Sequence, residues 1–257
     1  LITSLTNDKV KLARALARRR TRWQERAFIV EGVRLLDEIA RQRVPAHFVF
    51  YTEAAAASPD VSAVLDRLSQ QGAAAFQVSG EVMAACSDTV TPSGLLAVVP
   101  FPDIPAPAQV AWVLVVDSVR TPGNLGAILR TAAAAGVDQV FLSPGTVDLY
   151  NPKVVRGGAG VHFRLPILAL TWEEIVRRLA GFRTWLAAPR TDVTYTQVDW
   201  KGRVALLMGG EAEGASKMGL DLAGGQVTIP MARDVESLNV AVAAGILLFE
   251  IARQRRE

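Results

Sequence analysis

Two rhythms of apolar residues alternate along this chain. Short continuous apolar runs, bounded by glycine, proline or charge, mark buried strands. Longer stretches in which apolar residues return every three or four positions mark helices. In the first part, a helix is predicted over 7–20, striped by Val10, Leu12, Ala13, Leu16 and Ala17. A strand and turn follow over 28–32, then a helix over 33–41 that turns Leu35, Leu36 and Ile39 inward. Strands over 46–51, 74–78 and 94–100 alternate with helices over 61–70 and 81–86. Residues 100–107 (PFPDIPAP) are proline-rich and carry no period, so they read as an extended linker. The expected division is a small α/β domain over 1–99, a linker over 100–108 and a second domain over 109–257.

The second domain opens on an apolar strand over 110–116 that ends at Asp117. A helix over 125–135 follows, with Gly136 as its C-cap, and then a strand over 139–142. A helix is expected from Val154 to Ala159, an apolar segment over 163–167, and a helix over 172–180 capped by Thr171. Strands follow over 184–188, 204–208 and 226–230. A long apolar helix, Val240 to Ile251, closes the pattern, with Ser237 as the expected N-cap. Strands alternating with helices imply a parallel sheet covered on both faces. The stretch from Arg203 to Glu250 reads as a strand, a glycine turn, a second strand and a capped helix, which is a ligand cradle at the carboxyl ends of strands.

Composition narrows the class. The chain has 257 residues, 50% of them hydrophobic and 21% charged, which is ordinary for a globular protein. One cysteine excludes an internal disulfide framework, and with only two histidines a structural zinc site is not expected. No apolar run follows the basic N-terminus, so no signal peptide is expected. The apolar run Val240–Phe249 is too short to span a bilayer. These features lead us to expect a soluble, cytoplasmic protein. The net charge is only +3, but Lys9, Lys11, Arg14, Arg18, Arg19, Arg20, Arg22 and Arg26 crowd one region opposed by Asp8 and Glu25. Such a cluster is either an electrostatic footprint for nucleic acid or a solvated helix face, and charge alone leaves both open.

Four constellations carry candidate chemistry. In Pro122–Arg130 (PGNLGAILR), two glycines flank Asn124 at a strand-to-helix turn. Arg130 then stands in an otherwise apolar helix, where it either awaits an anionic ligand or pairs with an acid such as Asp117 or Glu211. In Asn151–Gly160 (NPKVVRGGAG), basic residues sit beside a glycine-rich turn, a weak phosphate signal or a surface loop. The turn Gly209–Gly214 (GGEAEG) has neither dinucleotide-fingerprint nor P-loop spacing. Ile229-Pro230-Met231 with Ser237-Leu238-Asn239 reads, taken alone, as the capped start of a core helix.

Together the four closely resemble the SpoU (TrmH-like) branch of the SPOUT RNA methyltransferases. The family's N-x-G-x-x-x-R-T-A motif matches at Asn124, Gly126, Arg130, Thr131 and Ala132. Its G-x-E-x-x-G turn matches at Gly209, Glu211 and Gly214, and its I-P-M and S-L-N-V-x-V-A elements at 229–231 and 237–243. A V-R-x-x-x-G element of the rRNA-modifying members is reproduced by Val155, Arg156 and Gly160. The N-terminal part is similar to the family's L30e-like α/β/α substrate-binding domain in its basic first helix. Its F-I-V-E-G turn (28–32) and S-D-T-x-T-P-x-G segment (87–94) match as well. One departure is Thr121, where many members have aspartate.

The resemblance implies a C-terminal parallel-sheet domain tied in a deep trefoil knot, working as a homodimer through the Val240–Phe249 helix. It implies S-adenosylmethionine as cofactor, bound bent in the knot near Gly209, Ile229 and Leu238, with Leu186, Ala187, Ala188 and Met231 as neighbours. The implied reaction is methyl transfer to a ribose 2′-hydroxyl, with no metal required. Arg130 is the implied catalytic residue, either relaying the hydroxyl proton or binding the substrate phosphate. Asn124, Glu211, Ser237 and Asn239 position it and the ribose. Arg156, from the same or the other subunit, and Arg18, Arg19, Arg20 and Arg22 are expected to meet RNA. Ribosomal RNA, specifically 23S, is favoured over transfer RNA. A catalytically inactive RNA-binding knot protein is a further alternative. A small-molecule enzyme on an ordinary doubly wound sheet is disfavoured by the missing nucleotide fingerprints.

Overall fold

The structure is a computed structural model that describes every residue except Ala212, Asp234 and Glu257. Ala212, inside the predicted glycine turn, therefore lies outside the described residues. The chain forms two compact units, Leu1–Asp103 with Tyr150–Phe163, and Ile104–Leu149 with Arg164–Glu257.

The first unit begins with α1 (Asp8–Ala15), α2 (Arg19–Glu25), β1 (Ala27–Glu31) and α3 (Val33–Arg41). It continues through β2 (Phe48–Tyr51), α4 (Glu53–Ala56), α5 (Pro59–Gln70), β3 (Ala75–Gln77), α6 (Gly80–Cys86) and β4 (Leu95–Pro100). Its sheet has the order β1-β4-β2-β3, antiparallel except for the parallel β2–β3 pair. Val10, Ala13 and Leu16 pack with Phe48, Phe50 and Val98 in one core. The single helix predicted over 7–20 is two helices. Asn7 caps the first by accepting from the Lys9 amide. The break is held by Arg22, whose guanidinium donates to the carbonyls of Leu16 (2.8 Å) and Ala17 (2.9 Å). The two segments named in the sequence reading meet at Glu31. Its carboxylate accepts from the Ser87 hydroxyl (2.8 and 2.9 Å), the Thr89 hydroxyl and the Ser93 amide (both 3.2 Å).

The segment Tyr150–Phe163, which the sequence reading places inside the second domain, packs with the first unit. It carries α8 (Pro152–Gly158), which begins at the side-chain cap Asn151 and packs on β1. Phe28 of β1 lies 4.8 Å from the Tyr150 ring and 6.0 Å from that of Phe163. Apolar burial of these rings outweighs sequence adjacency in deciding where the segment belongs.

The second unit comprises β5 (Trp112–Val116), α7 (Pro122–Ala135), β6 (Gln139–Leu142), β7 (Ile167–Ala169), α9 (Trp172–Arg178) and β8 (Arg183–Ala187). It ends with β9 (Val204–Met208), α10 (Lys217–Leu222), β10 (Gly225–Val227) and α11 (Val240–Arg256). Its six strands are all parallel in the order β10-β8-β9-β5-β6-β7. Every residue of β5, β6 and β9 is buried, as continuous apolar runs demand. The strand order reverses at β5–β9, so the carboxyl ends of β8, β9 and β10 border the position where such sheets hold ligands. Helix α7 starts at Pro122, three residues before the predicted start, because proline is favoured in the first turn. It ends at Gly136, with φ +94°. Thr171 and Glu174 form a reciprocal capping box at α9. Helix α11 packs along α7.

Candidate active site

A cleft of about 700 Å³ opens where β8, β9 and β10 end, within the size range of small-ligand sites. Its walls are tied together. The Ala188 amide donates to the Val227 carbonyl (2.9 Å), the Thr228 hydroxyl to the Pro189 carbonyl (2.8 Å) and the Gly210 amide to the Gly214 carbonyl (2.8 Å). Of the predicted cofactor residues, Ala187, Ala188, Gly209, Ile229, Met231 and Leu238 line this cleft. Leu186 does not. Alternation along β8 turns its side chain into the core with Val113, Val115 and Leu207, which leaves only its backbone to meet a cofactor. At Gly209 a Cβ would collide with the backbone of Gly214 and Ala215, so only glycine lets the turn fold this tightly. The sequence reading missed Pro189, Arg190, Met208, Glu236 and Leu247 on the lining. Pro189 and Arg190 follow β8 within three residues, and the strand-end rule was the signal that pointed to them.

A chain of hydrogen bonds runs from this cleft to two helices. Glu211 lines the cleft, and its carboxylate accepts from the Asn124 amide group (2.9 Å) and the backbone N–H groups of Arg120 and Thr121 (both 3.2 Å). Partial burial pushes its pKa up, but donors from Asn124, its own backbone, Arg120 and Thr121 outweigh that and bring it down to about 2. The Asn124 carbonyl oxygen in turn accepts from the Asn239 side chain (3.1 Å). The Asn239 oxygen takes the amides of Ala241 (2.9 Å) and Val242 (3.4 Å). Asn239 is therefore the residue that caps α11, not Ser237, which is exposed on the cleft wall two positions earlier.

Arg130 stands on α7, six residues beyond Asn124 and on a different face of the helix. It is exposed and makes no hydrogen bond or ion pair with the described residues. Neither proposed acidic partner holds it. Glu211 takes the donors just named. Asp117 is fully buried and accepts from the hydroxyls of Ser118 (3.0 Å) and Ser143 (2.8 Å) and from the Ser216 amide (2.7 Å). The site thus brings Glu211, Ser237 and Asn239 onto one cleft wall and joins Asn124 to them, while Arg130 stands off the lining.

The basic residues divide by role. Arg18, Arg19 and Arg20 are exposed at the start of α2. Arg22 is only 3% exposed, with its guanidinium on two backbone carbonyls, so its expected RNA contact is corrected to a structural one. Arg156 pairs with Asp88 at 3.0 Å inside the first unit. No helix among the described residues is long and apolar enough to cross a membrane.

Comparison with known proteins places this geometry in a family. The profile of the SpoU rRNA Methylase family matches residues 111–249, and that of the MRM3-like substrate binding domain matches residues 7–97. An uncharacterized tRNA/rRNA methyltransferase of Synechocystis is 35% identical over 99% of this chain and 94% of its own length. The 23S rRNA (guanosine(2553)-2′-O)-methyltransferase RlmP of Bacillus subtilis is 30% identical over 97% of this chain and 98% of its own. The crystal structure of an AdoMet-bound rRNA methyltransferase from Sinorhizobium meliloti superposes with a TM-score of 0.85 at 31% identity, covering 98% of this chain and 97% of that one. On the cleft, its glycine turn and these matches, the chain belongs to the SpoU rRNA methylase family.

Proposed function

We propose that this protein transfers a methyl group from S-adenosylmethionine to a ribose 2′-hydroxyl of ribosomal RNA, in the 23S molecule. Family membership makes it an S-adenosylmethionine-dependent RNA methyltransferase. The observation that carries the finer reading is the hydrogen-bonded chain Glu211–Asn124–Asn239, which links the glycine-turn cleft to the helix bearing Arg130. The cleft suits the cofactor. Ile229, Leu238 and Leu247 offer apolar walls, Gly209 allows close backbone approach, and Arg190, Glu211 and Glu236 supply both signs of charge for an amino-acid tail. When bound, S-adenosylmethionine supplies an electrophilic methyl group on sulfur.

The ribose hydroxyl must lose its proton as it attacks. Guanidinium groups stay charged under ordinary conditions, so the role of Arg130 that needs no further group is to bind the adjacent phosphate and orient the hydroxyl. Relay of the proton through the phosphate is the other role open to it. Asn124, Glu211, Ser237 and Asn239 hold the cleft wall and the α7 end in register around the ribose. Arg18, Arg19, Arg20 and Arg156 serve the RNA backbone.

Three architectural features complete the proposal. The segment from β9 to α11 forms the trefoil knot around the cleft. The protein is a homodimer through α11, a reading supported by Val242 and Phe249, 53% and 49% exposed and one heptad apart on one face of the helix. Residues 1–99, with the segment 150–163 that packs on them, act as the RNA-binding domain, 100–108 as the linker and the rest of 109–257 as the methyltransferase domain, in the cytoplasm. Offering unmodified ribosomal and transfer RNA with labelled S-adenosylmethionine tests the substrate. Label in 23S RNA alone, resistant to alkaline hydrolysis, is expected. Label in transfer RNA alone overturns the substrate choice and keeps the chemistry.

A further inference from the structure

We infer that Trp23 is a stacking platform for an unpaired nucleobase of the RNA substrate, flanked by arginines that hold the neighbouring phosphates. The inference rests on the RNA reading above and adds a site to it. Trp23 is 40% exposed, an unusual position for the largest aromatic side chain. Its surroundings fix it in place. The Phe101 ring meets it edge-on at 5.4 Å and the Tyr150 ring at 6.2 Å. Those two rings are stacked on each other at 3.7 Å, with 15° between their planes. Beneath, the buried Arg22 bolts α2 to the end of α1 through the Leu16 and Ala17 carbonyls. An aromatic held this way loses little side-chain freedom when a base stacks on it.

Charge selects the occupant. On a helix, positions three and four residues apart share a face, so Arg19 and Arg20 lie one turn before Trp23. Both are exposed. Arg26, three residues on, places its guanidinium 5.5 Å from the Phe101 ring centre at the edge of the same cluster. Glu25, the carboxylate of this helix, is two positions away and does not share the face. An apolar protein partner gains nothing from three cations around its contact. A nucleic acid strand gains phosphate pairing from each and stacking from the ring. The unpaired state of the base follows from the geometry, since a duplex hides its base faces.

The test measures binding of a single-stranded RNA oligonucleotide and of a duplex RNA of equal length to the full chain, as wild type, Trp23→Ala and Trp23→Phe. Thermal melting and S-adenosylmethionine affinity are followed in parallel. Trp23→Ala is expected to weaken single-strand binding by roughly 5- to 100-fold and duplex binding hardly at all, with Trp23→Phe close to wild type. Equal single-strand affinity of wild type and Trp23→Ala overturns the stacking site and leaves the methyltransferase reading intact. Equal loss on single strand and duplex overturns it too, since a base platform discriminates between them. If the wild type binds no RNA while still binding S-adenosylmethionine, the RNA reading itself fails.

Discussion

Replacing Gly209 with alanine is the sharpest perturbation of the cleft. A Cβ built there lies 2.5 Å from the Gly214 carbonyl carbon and 2.9 Å from the Ala215 Cα. Ordinary carbon–carbon contact is about 3.5–4.0 Å, so the turn has to give by roughly 1 Å. Both obstacles are backbone, and no flexible side-chain end can swing away. Overpacking of this kind costs about 1–3 kcal/mol. The turn Gly209–Gly214 is tied by the Asn124–Glu211 bond, and Gly210 packs so closely on Ser118 that a Cβ built there would meet its carbonyl oxygen at 2.6 Å. Relief is therefore directed toward the open cleft, and S-adenosylmethionine affinity should fall by about 5- to 150-fold. Gly123→Ala is the control. That position has no atom within 4 Å of the added Cβ and lies in the first turn of α7, where alanine is the better helix former by up to about 1 kcal/mol. Calorimetric titration reads the affinity, and a urea melt reads the stability. Unchanged cofactor affinity in Gly209→Ala, with Gly123→Ala also unchanged, would refute the placement of the cofactor against this turn.

Three further expectations follow from the hydrogen-bond geometry. Asn239→Ala removes the α11 cap and should cost about 1 kcal/mol. A double-mutant cycle with Asn124→Ala should show coupling of about 0.5 kcal/mol or more, and additive effects would break the proposed chain. The Glu211 carboxyl falls from 4.5 to about 2 in the folded protein, so its stabilising contribution is fully present above pH 4.5 and is lost as pH falls toward 2. Melting curves of wild type and Glu211→Gln should differ in slope within that window, and parallel curves would contradict the assignment. Arg22→Ala should lower stability by about 1–3 kcal/mol by stranding two carbonyls. Arg19→Ala, by contrast, should shift the melt less than Arg22→Ala does and reduce the salt slope of RNA binding by about 1. The reverse pattern would exchange their roles.

Much of this fold was legible because burial writes itself into sequence. The runs 139–142 and 204–208 are strands with those same limits, since only a strand buried on both faces uses so continuous an apolar run. The break between α1 and α2 was invisible, because it depends on where a single guanidinium finds its acceptors. Helix α10 was missed as well. Its sequence KMGLDL has no apolar period, and it forms because Ser216 caps the Gly219 amide while Asp117 takes the Ser216 amide. The cap of α11 was assigned to Ser237 on residue type, whereas the choice between Ser237 and Asn239 is made by the partner Asn124, 115 residues away. Leu186 shows the same limit on one strand: the run 184–188 pointed to the cleft, but only the direction of alternation decides which side chain faces it. The cleft wall itself was readable, since Gly209, Ile229, Met231 and Leu238 all line it.

The central claim is that Arg130 acts in methyl transfer to a ribose hydroxyl and not in building the cofactor cleft. Single-turnover methyl transfer to unmodified ribosomal RNA, with cofactor affinity measured alongside for wild type, Arg130→Ala and Arg130→Lys, tests it directly. The expected result is alkali-resistant label with the wild type, loss of at least about 100-fold in rate with Arg130→Ala, partial rescue by lysine and unchanged S-adenosylmethionine affinity. Transfer by Arg130→Ala at the wild-type rate, or label in an alkali-sensitive position, would contradict the account.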